Sequence, residues 1–140
     1  KMETLPIGQS NIVKEGKDLT IISYGASLRA ALEAVELLEE EDGVKAELID
    51  LLTIAPLDAT LIVESIKKTG RAVIVHEGPR TCGLGAEVVA RVNEAAFLYL
   101  EAPIRRVTGF DTPIPYFSKE RFYLPDAERV VAACRETLSF

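Results

Sequence analysis

The sequence has little of the chemistry from which metal and disulfide sites are built. His76 is the only histidine, which excludes a histidine-based metal cluster. Cys82 and Cys134 are the only cysteines and lie in unrelated segments, so we expect free thiols in a reducing compartment. No two carboxylates have the spacing that glycosidase-type acid–base catalysis needs. These absences leave no obvious active site and predict no metal ligand.

The sequence also lacks the features with which proteins bind nucleic acids or membranes. Lysine and arginine form only isolated pairs and the formal net charge is −6, so we expect no nucleic-acid partner. No apolar run approaches the roughly 18 residues that a bilayer span needs, and no signal peptide is apparent. We therefore expect a cytoplasmic protein, or one of the mitochondrial matrix if the source is eukaryotic.

Strand and helix patterns alternate along the 140 residues. Short apolar runs predict strands over 19–24, 45–52, 71–76 and 104–108, with 71–76 as the central strand. This alternation predicts an α/β fold with a mostly parallel sheet and helices on both faces. An extra strand over 11–14 turns straight back and is predicted to be an antiparallel edge. The first helix is predicted to bury one stripe of residues, Leu28, Ala31, Leu32, Val35 and Leu38.

Polar and turn residues predict where the helices begin and end. Ser27 and Asp58 are the predicted N-caps of the first two helices, and Gly70 is the predicted C-cap of the second. The third helix, over 85–100, is apolar on most faces, so we expect another surface to cover it. An irregular loop is predicted over 109–123, and Pro125 is expected to open the last helix at its first turn.

The most informative stretch is the glycine-rich turn between a strand and a helix, residues 76–87. Ligands of α/β proteins often bind at such turns. Gly78 and Gly83 have the spacing of a phosphate-binding loop, but Leu84 and Gly85 stand where lysine and serine or threonine are needed. The third glycine of the dinucleotide fingerprint is also missing. The turn either packs a helix close to a strand or binds an anion between Gly78 and Gly85.

His76, Glu77 and Arg80 make this a candidate functional turn. His76 ends a strand, where α/β sites gather, and Cys82 lies near Arg80 and a helix N-terminus, which favours a reactive thiolate. A Cys–His pair is therefore conceivable. Glu77 points to the opposite face of the strand and is not expected to orient His76. The alternative is a histidine with local hydrogen bonds only, and we predict no catalytic residue.

Four ordered motifs resemble one family, the β subunits of the decarboxylase component of branched-chain 2-oxo acid dehydrogenases, with the pyruvate enzyme close by. Residues 76–87 resemble the family's HEAPxTGGFGAE, although Gly78 replaces an alanine and Cys82 a glycine. Residues 50–58 resemble DLRTIxPLD, and residues 100–113 resemble LEAPIxRVxGxDTP. Residues 13–25 also resemble the corresponding segment of the family, and the four motifs follow one another in the family's order. The match covers essentially the whole chain.

The resemblance implies a transketolase C-terminal fold: three α/β/α layers around a five-stranded sheet with one antiparallel strand. Residues 1–10 would be a lead-in, and residues 11–140 one domain. The whole enzyme would use thiamine diphosphate and Mg²⁺ to decarboxylate a branched-chain 2-oxo acid oxidatively and acylate lipoyl groups. This domain carries none of the family's cofactor motifs and is not expected to bind the cofactor alone.

The resemblance also implies an assembly and docking role. The partners would be the α subunit and a second β subunit of an α2β2 tetramer, and the basic subunit-binding domain of the dihydrolipoyl acyltransferase. Glu101 and Phe140, the latter through a terminal carboxylate, are the predicted partner-binding residues. The alternative function is a free-standing α/β domain that binds a small molecule or anion at the Gly78–Gly85 turn.

Overall fold

The computed structural model describes residues 4–140 and shows a five-stranded mixed sheet between two layers of helices. Residues 1–3 of the predicted lead-in lie outside the described residues. The strands are β1 (Asn11–Lys14), β2 (Leu19–Ser23), β3 (Ala46–Asp50), β4 (Ala72–His76) and β5 (Arg105–Thr108). The helices are α1 (Ser27–Asp42), α2 (Ala59–Thr69), α3 (Leu84–Ala96), α4 (Glu120–Tyr123) and α5 (Ala127–Leu138), with 3-10 turns at Phe97–Tyr99 and Phe117–Lys119.

The sheet confirms the predicted fold class and corrects one strand position. Its order is β1-β3-β2-β4-β5, with β1 antiparallel to β3 and every other pair parallel. The antiparallel edge strand is therefore confirmed. The middle strand, however, is β2 and not β4. The chain passes from β2 to β3 on one side of it in the sheet, and then from β3 back across β2 to β4 on the other side. Because both connections are right-handed crossovers, their helices lie on opposite faces of the sheet.

Two apolar cores lie on the two faces of the sheet. Helices α1 and α5 cover one face and α2 and α3 cover the other. In α1 the buried stripe includes Ala31, Val35 and Leu38 as predicted, but Leu32 is 37% exposed, whereas Ala34 is fully buried. The buried face of α1 is therefore slightly offset from the predicted stripe, and Leu28 is only partly buried.

Helix boundaries follow the predicted caps in part. Asp58 caps α2, because its Oδ1 accepts the Leu61 N–H at 3.3 Å, and Gly70 ends that helix in the left-handed conformation. The predicted Ser27 cap is wrong. Ala26 occupies the N-cap position, Ser27 is already helical, and its buried Oγ has no hydrogen-bond partner among the described residues.

The segment after β5 is more regular than predicted. Residues 109–123 contain the 3-10 turn Phe117–Lys119 and the short helix α4. Pro125 does not open α5. Asp126 is the N-cap residue and its Oδ1 accepts the Arg129 N–H at 2.8 Å, so Pro125 lies just outside the helix. Within residues 4–140, no helix has the length and apolar character needed to cross a membrane.

Candidate functional site

The glycine-rich turn closes over His76 at the carboxyl end of β4. The imidazole is fully buried, and its Nε2 accepts the backbone N–H of Gly85 at 3.2 Å. Gly83 is the N-cap residue of α3 and supplies no side-chain acceptor. The histidine therefore satisfies one of the amides that every helix leaves free in its first turn. Because Nε2 accepts, the neutral ring carries its proton on Nδ1, which is buried without a partner among the described residues.

Two of the three glycines of the turn, Gly83 and Gly85, leave no room for a side chain, in part because the imidazole lies beneath them. A Cβ on Gly85 would lie 2.7 Å from His76 Nε2, and one on Gly83 would lie 2.1 Å from the carbonyl oxygen of Pro79 and 2.8 Å from His76 Cε1. A Cβ on Gly78 would lie 3.3 Å from Nδ1 and would require only a small shift. The turn therefore packs a helix against a strand through a histidine.

Burial keeps the histidine neutral. Loss of hydration lowers the pKa of His76 below its ordinary value of 6.5, and the positive charge of Arg106 lowers it further. The Tyr24 ring stacks on the imidazole with 6.0 Å between centroids. Burial, and then the charge of Glu77, raise the pKa of Tyr24. These contacts fit the interpretation of His76 as a locally hydrogen-bonded residue.

The structure does not bring Cys82 and His76 together as a nucleophile and a base. Cys82 is exposed whereas His76 is fully buried, and no hydrogen bond joins them in the described part of the chain. Cys82 has a positive φ of 58°, a conformation that favours glycine. This backbone conformation explains why the family motif that residues 76–87 resemble has a glycine at this position.

Arg80 ties the turn to β5. Its Nη1 donates to the carbonyl of Arg106 at 3.2 Å, and Arg106 Nη1 donates to the carbonyl of Arg80 at 2.9 Å. Thr81 donates through its N–H and its hydroxyl to Asp111, at 2.9 and 2.7 Å. The bonds from Thr81, with the nearby charge of Arg80, hold the pKa of Asp111 below its usual range. Sequence reasoning gave Asp111 only a structural role in a turn and did not connect it or Arg106 with this site, although the adjacent arginines Arg105 and Arg106 were a visible signal.

The first-turn amide of Gly85, which could otherwise face a phosphate, donates instead to His76 Nε2. Between residues 4 and 140, no group of three or more His, Cys, Asp and Glu side chains is arranged to hold a metal ion.

The two predicted partner-binding residues lie at the other end of the sheet. Glu101 pairs through Oε2 with Arg71 Nη1 at 2.5 Å, and its side chain remains 60% exposed. Its N–H donates to the carbonyl of Gly70, just before β4. Helix α5 runs antiparallel to β5, so the exposed Phe140 also lies at the amino ends of the parallel strands.

Apolar side chains are exposed beside Glu101. Helix α3 ends at Ala96, and the following 3-10 turn leaves Phe97 64% and Leu98 91% exposed. An open groove of about 730 Å³ separates this turn from residues 100–104, with Glu101 at its rim. A second set of exposed apolar residues follows β5: Phe110, Ile114, Tyr116, Phe117 and Phe122. The helix predicted over 85–100 was expected to be covered by another surface, but α3 ends at Ala96 and the large exposed apolar side chains belong to the turn Phe97–Tyr99 that follows it.

Comparison with known sequences identifies relatives of one kind. The family model described as transketolase, C-terminal domain, matches residues 8–130. The chain is 51% identical over 136 residues to the mitochondrial 2-oxoisovalerate dehydrogenase subunit beta of Dictyostelium discoideum, covering 97% of this chain and 36% of that protein. It is 47% identical over 137 residues to the pyruvate dehydrogenase E1 component subunit beta of Staphylococcus aureus, covering 98% and 42% respectively. The chain thus spans well under half the length of these curated relatives.

Solved structures share the fold. A split-gene transketolase, solved as an inactive beta4 tetramer, superposes with a TM-score of 0.84 at 32% identity, covering 96% of this chain and 43% of that one. A transketolase from Pichia stipitis superposes with a TM-score of 0.56 at 16% identity, covering 95% and 18%. At that identity the second likeness supports the fold alone.

Proposed function

The chain belongs to the transketolase C-terminal domain family, and we propose that it is the assembly and docking domain of the β subunit of a 2-oxo acid dehydrogenase decarboxylase component. The whole enzyme would be thiamine-diphosphate-dependent, decarboxylate a branched-chain 2-oxo acid oxidatively and acylate lipoyl groups. The branched-chain type is favoured because identity to the 2-oxoisovalerate relative is 51%, against 47% for the pyruvate relative. The cytoplasm, or the mitochondrial matrix in a eukaryote, would be its location.

The cofactor has no place in the glycine-rich turn in this proposal. Thiamine diphosphate would be bound by other parts of the enzyme, and this domain would act through its surfaces. Its residues 11–140 would form the folding unit, preceded by a lead-in over 1–10.

The exposed apolar surface beside Glu101 is the observation that carries the proposal. Phe97 and Leu98 are far more exposed than side chains of this size usually are, and both line an open groove. Contact with the α subunit or a second β subunit of an α2β2 tetramer would remove this surface from water. Hydrophobic burial of this kind is the main favourable contribution to subunit association.

The acidic rim of the groove supports docking of the acyltransferase. Glu101 remains largely exposed although it is paired with Arg71, and the net charge of the chain is −6. A basic subunit-binding domain would be attracted to such a surface, and its cationic side chains could replace or share the Arg71 contact. Phe140 lies at the same end of the sheet and would add a carboxylate if it ends the natural chain.

Light scattering tests both roles on the 140-residue chain. We expect a mass of at least twice the 15.3 kDa of one chain, and a further increase on addition of the acyltransferase subunit-binding domain. Docking should weaken with added salt and with Glu101→Lys. Glu33→Lys, a charge reversal on the exposed face of α1, is the matched control and should have no effect.

Two results would contradict the proposal. A monomer at all concentrations would argue against assembly through this domain. Equal docking by the wild-type chain and Glu101→Lys, with both variants folded by circular dichroism, would argue against Glu101 as a partner-binding residue.

A further inference from the structure

Four arginines face one groove at the outer edge of the sheet. Strand β5 is an edge strand that pairs only with β4 in the described part of the chain. A groove of about 290 Å³ lies along it, between β5 and α5. Its charged lining residues are Arg80, Arg105, Arg106, Arg129 and Glu136. Positive charge is therefore concentrated here in a chain whose net charge is −6.

Backbone carbonyls, which carry no formal charge, hold three of these guanidinium groups. Arg80 and Arg106 each donate to the carbonyl of the other, at 3.2 and 2.9 Å. Arg129 donates to the carbonyls of Leu124 and Thr108, at 3.2 and 2.6 Å. These bonds fix the positions of the guanidinium groups but do not neutralise their positive charges. Donors that are already immobile lose little conformational freedom when they bind an anion.

Carboxylates compensate this charge only in part. Glu136 Oε2 accepts from Arg105 Nη2 at 3.2 Å and is the acidic residue that lines the groove. Arg105 Nε is buried and has no hydrogen-bond partner among the described residues. Asp111 lies near Arg80 but is bonded to Thr81 and does not line the groove. The groove therefore has four cationic side chains and one anionic side chain.

We propose that this arginine groove, lined by Arg80, Arg105, Arg106 and Arg129, binds the phosphate group of a small anion. The planar guanidinium group presents paired N–H donors that match the oxygens of a phosphate. The groove is large enough for a phosphate and a short organic group. This site is separate from the interior of the glycine-rich turn, where His76 fills the space, and the inference does not depend on the assembly role.

Isothermal titration calorimetry on the 140-residue chain tests the site. The probes are inorganic phosphate and glycerol 3-phosphate, at an ionic strength held constant with sodium chloride, with glycerol as the uncharged control. We expect saturable binding of both anions and none of glycerol. Tighter binding of glycerol 3-phosphate would identify a phosphomonoester as the ligand class, and equal binding would identify the phosphate group alone.

Two variants with opposite expected effects make the test specific. Arg80→Gln removes one cation and should weaken phosphate binding by about tenfold, the cost of a lost charge-assisted hydrogen bond. Glu136→Gln removes the anion that lines the groove and should tighten binding by several-fold. Arg91→Gln is the matched control, because Arg91 is an exposed arginine of α3 that pairs with Glu87 away from the groove.

The inference is overturned by any of three results. The first is that neither anion binds saturably. The second is that Arg80→Gln and Arg91→Gln lower the affinity for phosphate equally. The third is that Glu136→Gln weakens phosphate binding. Circular dichroism establishes that each variant is folded. Because Glu136→Gln removes one exposed carboxylate and its ion pair with Arg105 and lies outside the turn, it keeps the inference testable even if Arg80→Gln destabilises the turn.

Discussion

Adding one methyl group at Gly85 should destabilise the protein through its contact with His76. A Cβ at this position would lie 2.7 Å from Nε2 and 3.0 Å from Cδ2 of the imidazole, and 3.3 Å from Cδ of Arg106. The φ of Gly85 is not in the left-handed region, so alanine would suit the helical backbone. The expected cost is therefore steric, and it arises because the ring or the helix must move.

The magnitude follows from three contributions. Overpacking of a filled interior costs about 1–3 kcal/mol. Displacement of the ring would break the Gly85 N–H···Nε2 bond, and leaving these groups unpaired costs about 1–3 kcal/mol more. Alanine in place of glycine within a helix stabilises the folded state by about 1 kcal/mol. We therefore expect Gly85→Ala to lower the free energy of unfolding by about 3 kcal/mol, in urea denaturation followed by circular dichroism.

A double-mutant cycle with His76→Ala isolates the steric contact. His76→Ala should itself be destabilising, because it leaves a cavity and an unpaired Gly85 amide. In that background the added methyl group has space, so Gly85→Ala should be neutral or stabilising. The same penalty in both backgrounds would refute this reasoning, as would a Gly85→Ala variant as stable as the wild type.

Three further predictions concern other parts of the structure, and each is tested by urea denaturation. Below about pH 6.5 the wild type should lose stability with falling pH, because the depressed pKa of buried His76 lets the unfolded chain bind the proton first. His76→Gln should remove this dependence, since no other histidine is present. Ser27→Ala should cost nothing, whereas Asp126→Ala should cost about 1 kcal/mol, because only Asp126 caps its helix. Cys82→Gly should raise stability by about 1 kcal/mol, because Cys82 has a φ of 58°.

Each of these expectations has a contrary outcome. A pH dependence near 6 that survives in His76→Gln would assign it to other groups. A decrease of 1 kcal/mol or more in the free energy of unfolding of Ser27→Ala would indicate that Ser27 does cap α1. A less stable Cys82→Gly variant would mean that the side chain of Cys82 contributes more than its backbone strain costs.

The succession of strands and helices along the chain was determined by the sequence alone. Local patterns carry that information: short β-branched runs, apolar residues at helical spacing, and cap residues such as Asp58 and Gly70. The antiparallel edge at β1 was also predictable, because its short turn leaves no room for a crossover. The family resemblance rests on contiguous motifs and likewise needed no tertiary information.

Tertiary structure decided which strand is central and what the glycine-rich turn encloses. The strand order depends on the side to which each crossover runs, and no local pattern specifies that direction. The glycines at 78, 83 and 85 have the appearance of a ligand loop in sequence, yet they surround the imidazole of His76, which comes from the preceding strand. The arginine groove was equally hidden. Arg80, Arg105 and Arg129 are distant in sequence, and only the packing of α5 and the turn against the edge of β5 brings their charges together.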